Sequence, residues 1–211
     1  MESTSRQAHW ESVYSTKGEN EVSWFQENPA PSLELIAQLG VAPASAIIDI
    51  GGGASRLVDH LVAQGFGDVT VLDLSGAALE VAKSRLKERY GARAHRIHWV
   101  VADATIWQPV RQYDVWHDRA AFHFLTDAND RAAYIERLAR GVRAGGHAII
   151  ATFALDGPEK CSGLPVARYD SAGLGRTLGP MFTLRYTRRH KHVTPWGSPQ
   201  VFQFSVFRRE G

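Results

Sequence analysis

Residues 46–55 read Ala-Ile-Ile-Asp-Ile-Gly-Gly-Gly-Ala-Ser and join a short apolar run to three consecutive glycines. A short apolar run rich in β-branched residues is typical of a buried strand. Glycine tolerates positive φ and lets the backbone approach a ligand closely. This segment therefore predicts a strand that ends in a ligand-binding turn.

Apolar runs and amphipathic segments continue to alternate after this turn. Predicted strands cover 46–50, 69–73, 97–101, 113–117 and 148–153, and predicted helices between them cover 55–64, 75–90 and 126–140. This order is typical of an α/β fold, in which a parallel sheet carries helices on both faces. Two long alternating segments, 182–193 and 201–208, then predict an antiparallel hairpin.

Length and charge narrow the class of protein. A chain of 211 residues suits one domain, with a helical N-terminal segment over 1–40 and the core and hairpin over 41–211. The 24 Lys and Arg against 22 Asp and Glu leave a net charge of +2, so no nucleic-acid partner is expected. No apolar run reaches the ~20 residues of a membrane helix. The N-terminus lacks a secretory signal, so we expect a cytoplasmic protein with no membrane partner.

Three acidic residues stand at the ends of the first three predicted strands. Asp49 precedes the glycines, Asp73 ends the second strand and Asp103 follows the third. Ligands of open α/β sheets bind at this edge, where a carboxylate after the second strand accepts hydrogen bonds from ribose. S-adenosylmethionine (SAM) carries an ammonium group, a ribose and an adenine amine, one for each acid.

Dinucleotide cofactors fit the glycine turn less well. Their fingerprint is Gly-x-Gly-x-x-Gly, and Arg56 stands at the third glycine position. Asp49 also places negative charge where a pyrophosphate would bind. The pattern therefore favours SAM over NAD or FAD.

Together these motifs resemble the class I SAM-dependent methyltransferases. Asp49-x-Gly51-x-Gly53 is similar to their first motif, and residues 143–146 (Arg-Ala-Gly-Gly) are similar to the Pro-Gly-Gly turn before their fifth strand. The resemblance covers about residues 30–155. It implies a Rossmann-like mixed sheet of seven strands in the order 3-2-1-4-5-7-6, with strand seven antiparallel and helices on both faces.

Aromatic residues near the N-terminus complete the expected cofactor site. Trp10, Tyr14 and Trp24 resemble the N-terminal segment of the thiopurine methyltransferases, and aromatic faces attract a sulfonium through cation–π contact. We expect this segment to fold over SAM as part of a lid. The expected cofactor contacts are Trp10, Tyr14, Trp24, Asp49, Gly51, Gly53, Asp73, Leu74, Asp103, Ala104, Asp118 and Arg119.

The segment 117–124 carries the catalytic candidates, because the resemblance implies that it faces the transferred methyl group. Asp118 is expected to orient the methionine end of SAM or a donor group of the substrate. Arg119 is expected to pair with Asp118 or to bind an acidic substrate. His123 is the candidate base, since the pKa of histidine ordinarily lies near neutrality. We therefore take Asp118 and His123 as the catalytic candidates.

The connection 154–169 follows the fifth strand on the ligand side, and its length is typical of a functional lid. Candidate substrate contacts in this connection and in the hairpin are Cys161, Arg168, Tyr169 and His192. With a single cysteine and no evident ligand set, we expect no metal site.

These observations predict methyl transfer from SAM, by in-line displacement, to a small molecule with a sulfur, oxygen or nitrogen nucleophile. Two alternatives stay open: methylation of lysine in a partner protein, and SAM binding without catalysis. Nicotinamide-dependent redox chemistry is a weaker, fourth hypothesis.

Overall fold

The structure, a computed structural model, describes residues 3–211 without the side chains of residues 3, 4 and 93. The helices are α1 (Ser3–Thr16), α2 (Ala30–Gln38), α3 (Leu57–Ala63), α4 (Gly76–Tyr90), α5 (Ala128–Gly141) and α6 (Ser171–Leu178), with 3-10 turns at Gly91–Arg96 and Phe122–Phe124. The strands are β1 (Ile47–Ile50), β2 (Val69–Asp73), β3 (His98–Val101), β4 (Tyr113–Arg119), β5 (Val142–Phe153), β6 (Lys160–Cys161), β7 (Leu164–Pro165), β8 (Phe182–Val193) and β9 (Pro199–Arg209).

One mixed sheet organises the chain, with seven strands in the order β3-β2-β1-β4-β5-β9-β8. Strands β1 to β5 pair in parallel, and β9 pairs antiparallel with both β5 and β8. The short strands β6 and β7 pair only with each other. Counting the strands of the main sheet alone, the order is 3-2-1-4-5-7-6, which confirms the predicted topology.

Apolar side chains cover both faces of this sheet, because successive residues of a strand point to opposite sides. Ile47 and Ile149 pack in a cluster with residues of α2, α3 and α4. Ile48 and Ile150, one position later on the same strands, pack in a second cluster with residues of α5 and α6. The prediction of helices on both faces is therefore confirmed.

Strand ends differ from the sequence prediction in two places that affect the site. Strand β4 runs two residues further than predicted, so Asp118 and Arg119 belong to the sheet rather than to a loop. Strand β5 begins at Val142 instead of 148, and its register against β4 shifts between Tyr113 and Val115. Residues 143–146 therefore lie inside β5 as an irregularity, whereas the sequence predicts a turn before the strand.

The connection after β5 also has more structure than predicted. It contains the β6–β7 ribbon, whose turn residues Ser162 and Gly163 have positive φ angles of 49° and 79°. Positive φ at both central residues suits a tight two-residue hairpin. The helix α6 follows it and was not predicted. In the part of the chain that the structure describes, no helix has both the length and the apolar character needed to cross a bilayer.

Candidate active site

Two adjoining cavities lie at the carboxyl ends of the parallel strands. The larger encloses about 810 Å³, part of it open to solvent, and its lining is mostly apolar. The second encloses about 560 Å³ beside the glycine turn. Tyr14, Trp24, Gly51 and Arg119 line both cavities, so the two form neighbouring parts of one cleft.

The N-terminal helix lines the larger cavity with Arg6, Trp10 and Tyr14. The Trp10 ring packs edge-on against Trp24 and Phe124, with ring centroids 5.6 and 5.0 Å apart. The Trp24 indole donates a hydrogen bond to the Tyr14 hydroxyl at 3.0 Å. These contacts hold the aromatic side chains together at one edge of the cleft, and the polar ends of Trp24 and Tyr14 satisfy each other.

Arg6 ties the same helix to the far end of the cleft. Its Nη2 donates to Asp103 at 2.9 Å, and its Nη1 donates to Asp130 at 2.7 Å. Asp103 also accepts hydrogen bonds from the backbone and hydroxyl of Thr105. The acid predicted to face adenine therefore lines the larger cavity with several partners already in place.

The glycine turn is built so that only glycine fits its first two positions. Gly51 has φ +65°, and a Cβ there would lie 2.7 Å from the Cβ of Ala121. A Cβ on Gly52 would lie 2.5 Å from Val71 and 2.7 Å from Asp49 Oδ2. The turn thus leaves open backbone at the point where the two cavities meet.

Asp49 lies under this turn, buried, with its two carboxylate oxygens in unlike surroundings. Oδ1 is 2.7 Å from Nδ1 of His117, and Nε2 of His117 is 2.8 Å from the Ser32 hydroxyl. Oδ2 has no hydrogen-bond partner. Asp49, His117 and Ser32 all line the second cavity.

Asp73 is the buried acid at the end of β2, and it lines the larger cavity with its neighbour Leu74. Its Oδ1 accepts the backbone N–H of Ser75 at 2.8 Å. Burial, together with the nearby charge of Asp49, raises the pKa of Asp73 to about 7 against the opposing backbone hydrogen bonds. The carboxyl group is thus harder to ionise in the free protein than an exposed aspartate.

Arg119 is the cationic group where the cavities meet. Its Nη1 donates to the backbone oxygen of Trp24 at 2.9 Å, while its Nη2 is buried without a partner. The guanidinium also lies over the Phe202 ring, 5.0 Å from the ring centroid. Desolvation lowers the pKa of Arg119 to about 10, although the charge of Asp49 works in the opposite direction. The group therefore remains cationic at neutral pH.

Neither catalytic candidate is among the residues that line the two cavities. Asp118 is buried and accepts hydrogen bonds from Tyr134 Oη at 2.6 Å and from the backbone of Ala121 and Phe122. These contacts hold the turn after β4 and join it to α5. The pKa of Asp118 is raised to about 6 by burial.

His123 is buried between Phe124 and Phe153, with ring centroids 4.5 and 4.8 Å away. Burial, together with the charge of Arg119, lowers the pKa of His123 to about 3. An imidazole with so low a pKa is a weak base, and His123 lines neither of the two cavities. These surroundings do not support His123 as the group that removes a proton from the substrate.

Of the four substrate candidates, only Cys161 lines the larger cavity. Burial raises the pKa of its thiol to about 11, so the thiol is protonated at neutral pH. Arg168 instead bonds Gly157 and Glu159, and Tyr169 packs against Phe122. His192 contacts the backbone oxygen of Ser23 at 2.7 Å, and burial lowers its pKa to about 4. These last three are not among the residues that line either cavity.

Several lining residues escaped the sequence analysis. Arg6 was detectable in principle, because it stands four residues before Trp10 and so shares its helical face. Ser32 and His117 carried no such signal, since their partners are distant in sequence. Among the described residues, no group of three His, Cys, Asp or Glu side chains is arranged to hold a metal.

Comparison with known proteins finds similarity to methyltransferases. A family model described as a methyltransferase domain matches residues 48–148. Trans-aconitate 2-methyltransferase from Methylobacterium radiotolerans is 32% identical over 122 residues, which is 57% of this chain and 42% of that protein. The chain thus spans less than half the length of this curated relative.

Solved structures share the fold over nearly the whole chain. One, from work on the conversion of a disulfide bond into a thioacetal group during echinomycin biosynthesis, has a TM-score of 0.76 at 21% identity, covering 97% of this chain and 93% of that one. Another is the 1,6-didemethyltoxoflavin-N1-methyltransferase of Burkholderia thailandensis with bound 1,6-didemethyltoxoflavin and S-adenosylhomocysteine (SAH). Its TM-score is 0.69 at 19% identity, covering 99% of this chain and 85% of that one.

The matched domain extends from β1 into β5 and so contains the strand ends that carry Asp49, Asp73 and Asp103. Over residues 48–148 the chain therefore matches a methyltransferase domain, and it is similar to a curated methyltransferase and to solved methyltransferase structures.

Proposed function

We propose that the chain transfers the methyl group of SAM to a small molecule through the acceptor's own sulfur, oxygen or nitrogen atom. The observation that supports this most is the convergence of three acids. Asp49, Asp73 and Asp103 come from the ends of three different strands and line two adjoining cavities. That arrangement suits the ammonium, ribose and adenine groups of SAM.

The unpartnered atoms of the second cavity fit the methionine end of the cofactor. Asp49 Oδ2 is negative and Arg119 Nη2 is positive, and neither has a hydrogen-bond partner. No ion pair within 4.0 Å joins the two side chains. A buried polar group left without a partner is rare in native proteins. A zwitterion, with its ammonium group towards Asp49 and its carboxylate towards Arg119, would satisfy both.

When bound, SAM supplies a methyl group on a positively charged sulfur, which leaves as a neutral thioether. The protein's part is to orient the reactants and to exclude water. Asp73 accepts hydrogen bonds from the ribose hydroxyls and so orients the sugar. Trp10, Tyr14 and Trp24 exclude water from the cleft, and their ring faces stabilise positive charge by ~0.5–2 kcal/mol each.

The lining of the larger cavity favours an acceptor that needs no proton removed by the protein. Burial raises the pKa of the Tyr14 phenol well above its usual value and that of the Cys161 thiol to about 11. Both groups therefore stay protonated at neutral pH and are poor bases. An acceptor with a free lone pair, or one already ionised in water, would react without them.

The aromatic cover favours a small acceptor over a lysine of a partner protein. Trp10, Trp24 and Phe124 pack against one another and cover one side of a mostly apolar cavity. The named acceptors of two relatives, trans-aconitate and 1,6-didemethyltoxoflavin, are also small molecules. We extend the same acceptor class to this chain.

Ligand-induced stabilisation tests the cofactor. At ~100 times its Kd, a ligand of the folded state adds about 2.7 kcal/mol to the free energy of unfolding, which raises Tm by several degrees. We expect this shift with SAM and with SAH, and none with NADH. A shift with NADH alone would refute the proposal.

Turnover tests the acceptor class. We expect SAH to accumulate when the protein is incubated with SAM and a panel of small carboxylates, thiols, phenols and amines, with the methylated product identified by mass spectrometry. Asp73→Asn is the matched control for the cofactor site. Methyl transfer only to lysine in added proteins would favour the protein-substrate alternative, and binding without any turnover would favour a non-catalytic SAM-binding module.

A further inference from the structure

The buried carboxylate of Asp49 is held from one side only. Its Oδ1 lies 2.7 Å from His117 Nδ1, whereas its Oδ2 has no partner and faces the glycine turn. Burying a charged group is unfavourable unless hydrogen bonds replace its hydration. The His117 contact is therefore the one interaction that both stabilises this carboxylate and determines which oxygen stays available.

The chemistry of the partners fixes the roles of the two ring nitrogens. An ionised carboxylate only accepts hydrogen bonds, so Nδ1 of His117 carries the proton. In a neutral ring, Nε2 is then an acceptor, and it receives the hydroxyl proton of Ser32 at 2.8 Å. The Ser32 hydroxyl thus favours the ring tautomer that donates to Asp49.

Three separate elements meet in this chain of hydrogen bonds. Ser32 belongs to α2, His117 to β4 and Asp49 to β1, and all three side chains are buried. This series of hydrogen bonds is complete only while α2 is packed against the sheet. Docking of the N-terminal part of the protein and the orientation of the Asp49 carboxylate are therefore coupled.

We propose that Ser32, His117 and Asp49 form a positioning relay that keeps Asp49 Oδ2 free at the glycine turn to bind the ammonium group of the cofactor. The inference rests on the proposed function, since it concerns the methionine end of SAM. His117 and Ser32 act as positioning residues, because their contact with the ligand runs through Asp49.

The relay predicts a loss of affinity that depends on one part of the ligand. The nucleoside end would contact Asp73, at the end of β2, and Asp103, which follows β3, whereas the hydrogen-bond partners of the His117 ring are Asp49 and Ser32. SAH carries the ammonium group, whereas 5′-methylthioadenosine has the same nucleoside and thioether without it. Damage to the relay should therefore weaken SAH and spare 5′-methylthioadenosine.

Calorimetric titration of both ligands into three variants tests this. His117→Leu removes both ring nitrogens, and we expect SAH affinity to fall about tenfold or more, the range for losing a hydrogen bond to a charged group. His117→Asn is the conservative variant, since an amide nitrogen can take the place of Nδ1, and should keep most of the affinity. Ser32→Ala leaves the imidazole intact and should give a smaller loss. Affinity for 5′-methylthioadenosine should not change in any variant.

A double-mutant cycle completes the test. In an Asp49→Asn background, His117→Leu should cause no further loss of SAH affinity, because the two residues act as a unit. Equal losses for both ligands in a folded variant, or unchanged SAH affinity in His117→Leu, would overturn the relay. If His117→Leu does not fold, the other two variants test the relay. Unchanged SAH affinity in Ser32→Ala would overturn the relay, and so would equal losses for both ligands in His117→Asn. A wild-type protein that binds neither SAM nor SAH would instead refute the proposed function and the relay with it.

Discussion

Asp73 is the residue at which burial and ligand binding oppose each other most clearly. Burial raises its pKa to about 7, but ribose hydroxyls are bound best by the ionised carboxylate. Ligand binding therefore competes with protonation below that pH. We expect SAH affinity to be constant above about pH 7 and to fall by up to about tenfold per pH unit below it, measured by titration calorimetry between pH 5 and 8.

Asp73→Asn is the control, because it keeps the shape and removes the ionisation. It should bind SAH more weakly by ~1.5–3 kcal/mol at pH 8 and lose this part of the pH dependence. An unchanged pH profile of SAH affinity in the variant would remove Asp73 from the ribose site.

The same pKa also determines how the stability of the free protein depends on pH. Since the folded pKa lies above the ordinary value of 3.8, ionising Asp73 destabilises the free protein as pH rises from about 4 to 7.

Single residues also mark where sequence interpretation stops being reliable. The acids Asp49, Asp73 and Asp103 were found from their positions after apolar runs, and all three line the cleft. Asp118 and His123 had equally reactive side chains but point into the core. Reactivity is a property of the residue, whereas access to a cavity depends on which face of the sheet the residue occupies.

At the scale of elements, the start of α4 couples helix capping to the site. Ser75 is the N-cap of this helix, and its hydroxyl accepts the backbone N–H of Ala78 at 3.1 Å. Its own backbone N–H donates to Asp73. We expect Ser75→Ala to lower the free energy of unfolding by about 1 kcal/mol, while SAH affinity stays unchanged because the backbone contact to Asp73 remains.

Ser84→Ala is the matched control, since Ser84 is exposed in the middle of the same helix. That substitution should leave stability within about 0.5 kcal/mol, because alanine is the better helix former there. Thermal unfolding measures both variants, with ~2–4 °C expected per kcal/mol in a chain of this size. Equal shifts for the two variants would argue against a capping role for Ser75.

Elements with a clear apolar run or a long apolar stripe were predictable, and the short helix α6 was not. The strands β1 and β2 are short, mostly apolar runs, and α4 carries a buried stripe of Ala78, Leu79, Ala82 and Leu86. Helix α6 contains two glycines, which disfavour helix. It forms because Leu174 and Leu178 are buried against the sheet and Asp170 caps its first turn. Its stability comes from tertiary packing, which local sequence does not display.

At the scale of the whole molecule, Arg85 joins regions that are far apart in sequence. Its guanidinium donates two hydrogen bonds to Asp59 of α3 and one to Glu19 of the N-terminal region. It also donates to the backbone oxygens of Ala54 and Ser55. Asp59 is almost fully buried. We expect Arg85→Met to lower the free energy of unfolding by about 3–5 kcal/mol, because it leaves a buried carboxylate without its cation.

Lys83→Met is the control on the same helix. The Lys83–Glu80 ion pair is exposed, and such pairs contribute ~0–1 kcal/mol. Urea denaturation of the two variants should therefore differ clearly in midpoint. Similar midpoints would show that the Arg85 cluster contributes no more than a surface ion pair.

The sequence by itself determined the α/β class, the succession of strands and helices along the chain, the glycine turn and the acids at three strand ends, because apolar patterns and the conformational freedom of glycine act over a few residues. The order of the strands within the sheet was implied by the resemblance to a known family. Only the tertiary structure decided which charged groups meet. His117 reaches Asp49 across 68 residues and Ser32 across 85, and the orientation of both contacts depends on how α2 and β4 pack. Such pairings follow from the packing of distant elements, and no local pattern in the chain encodes them.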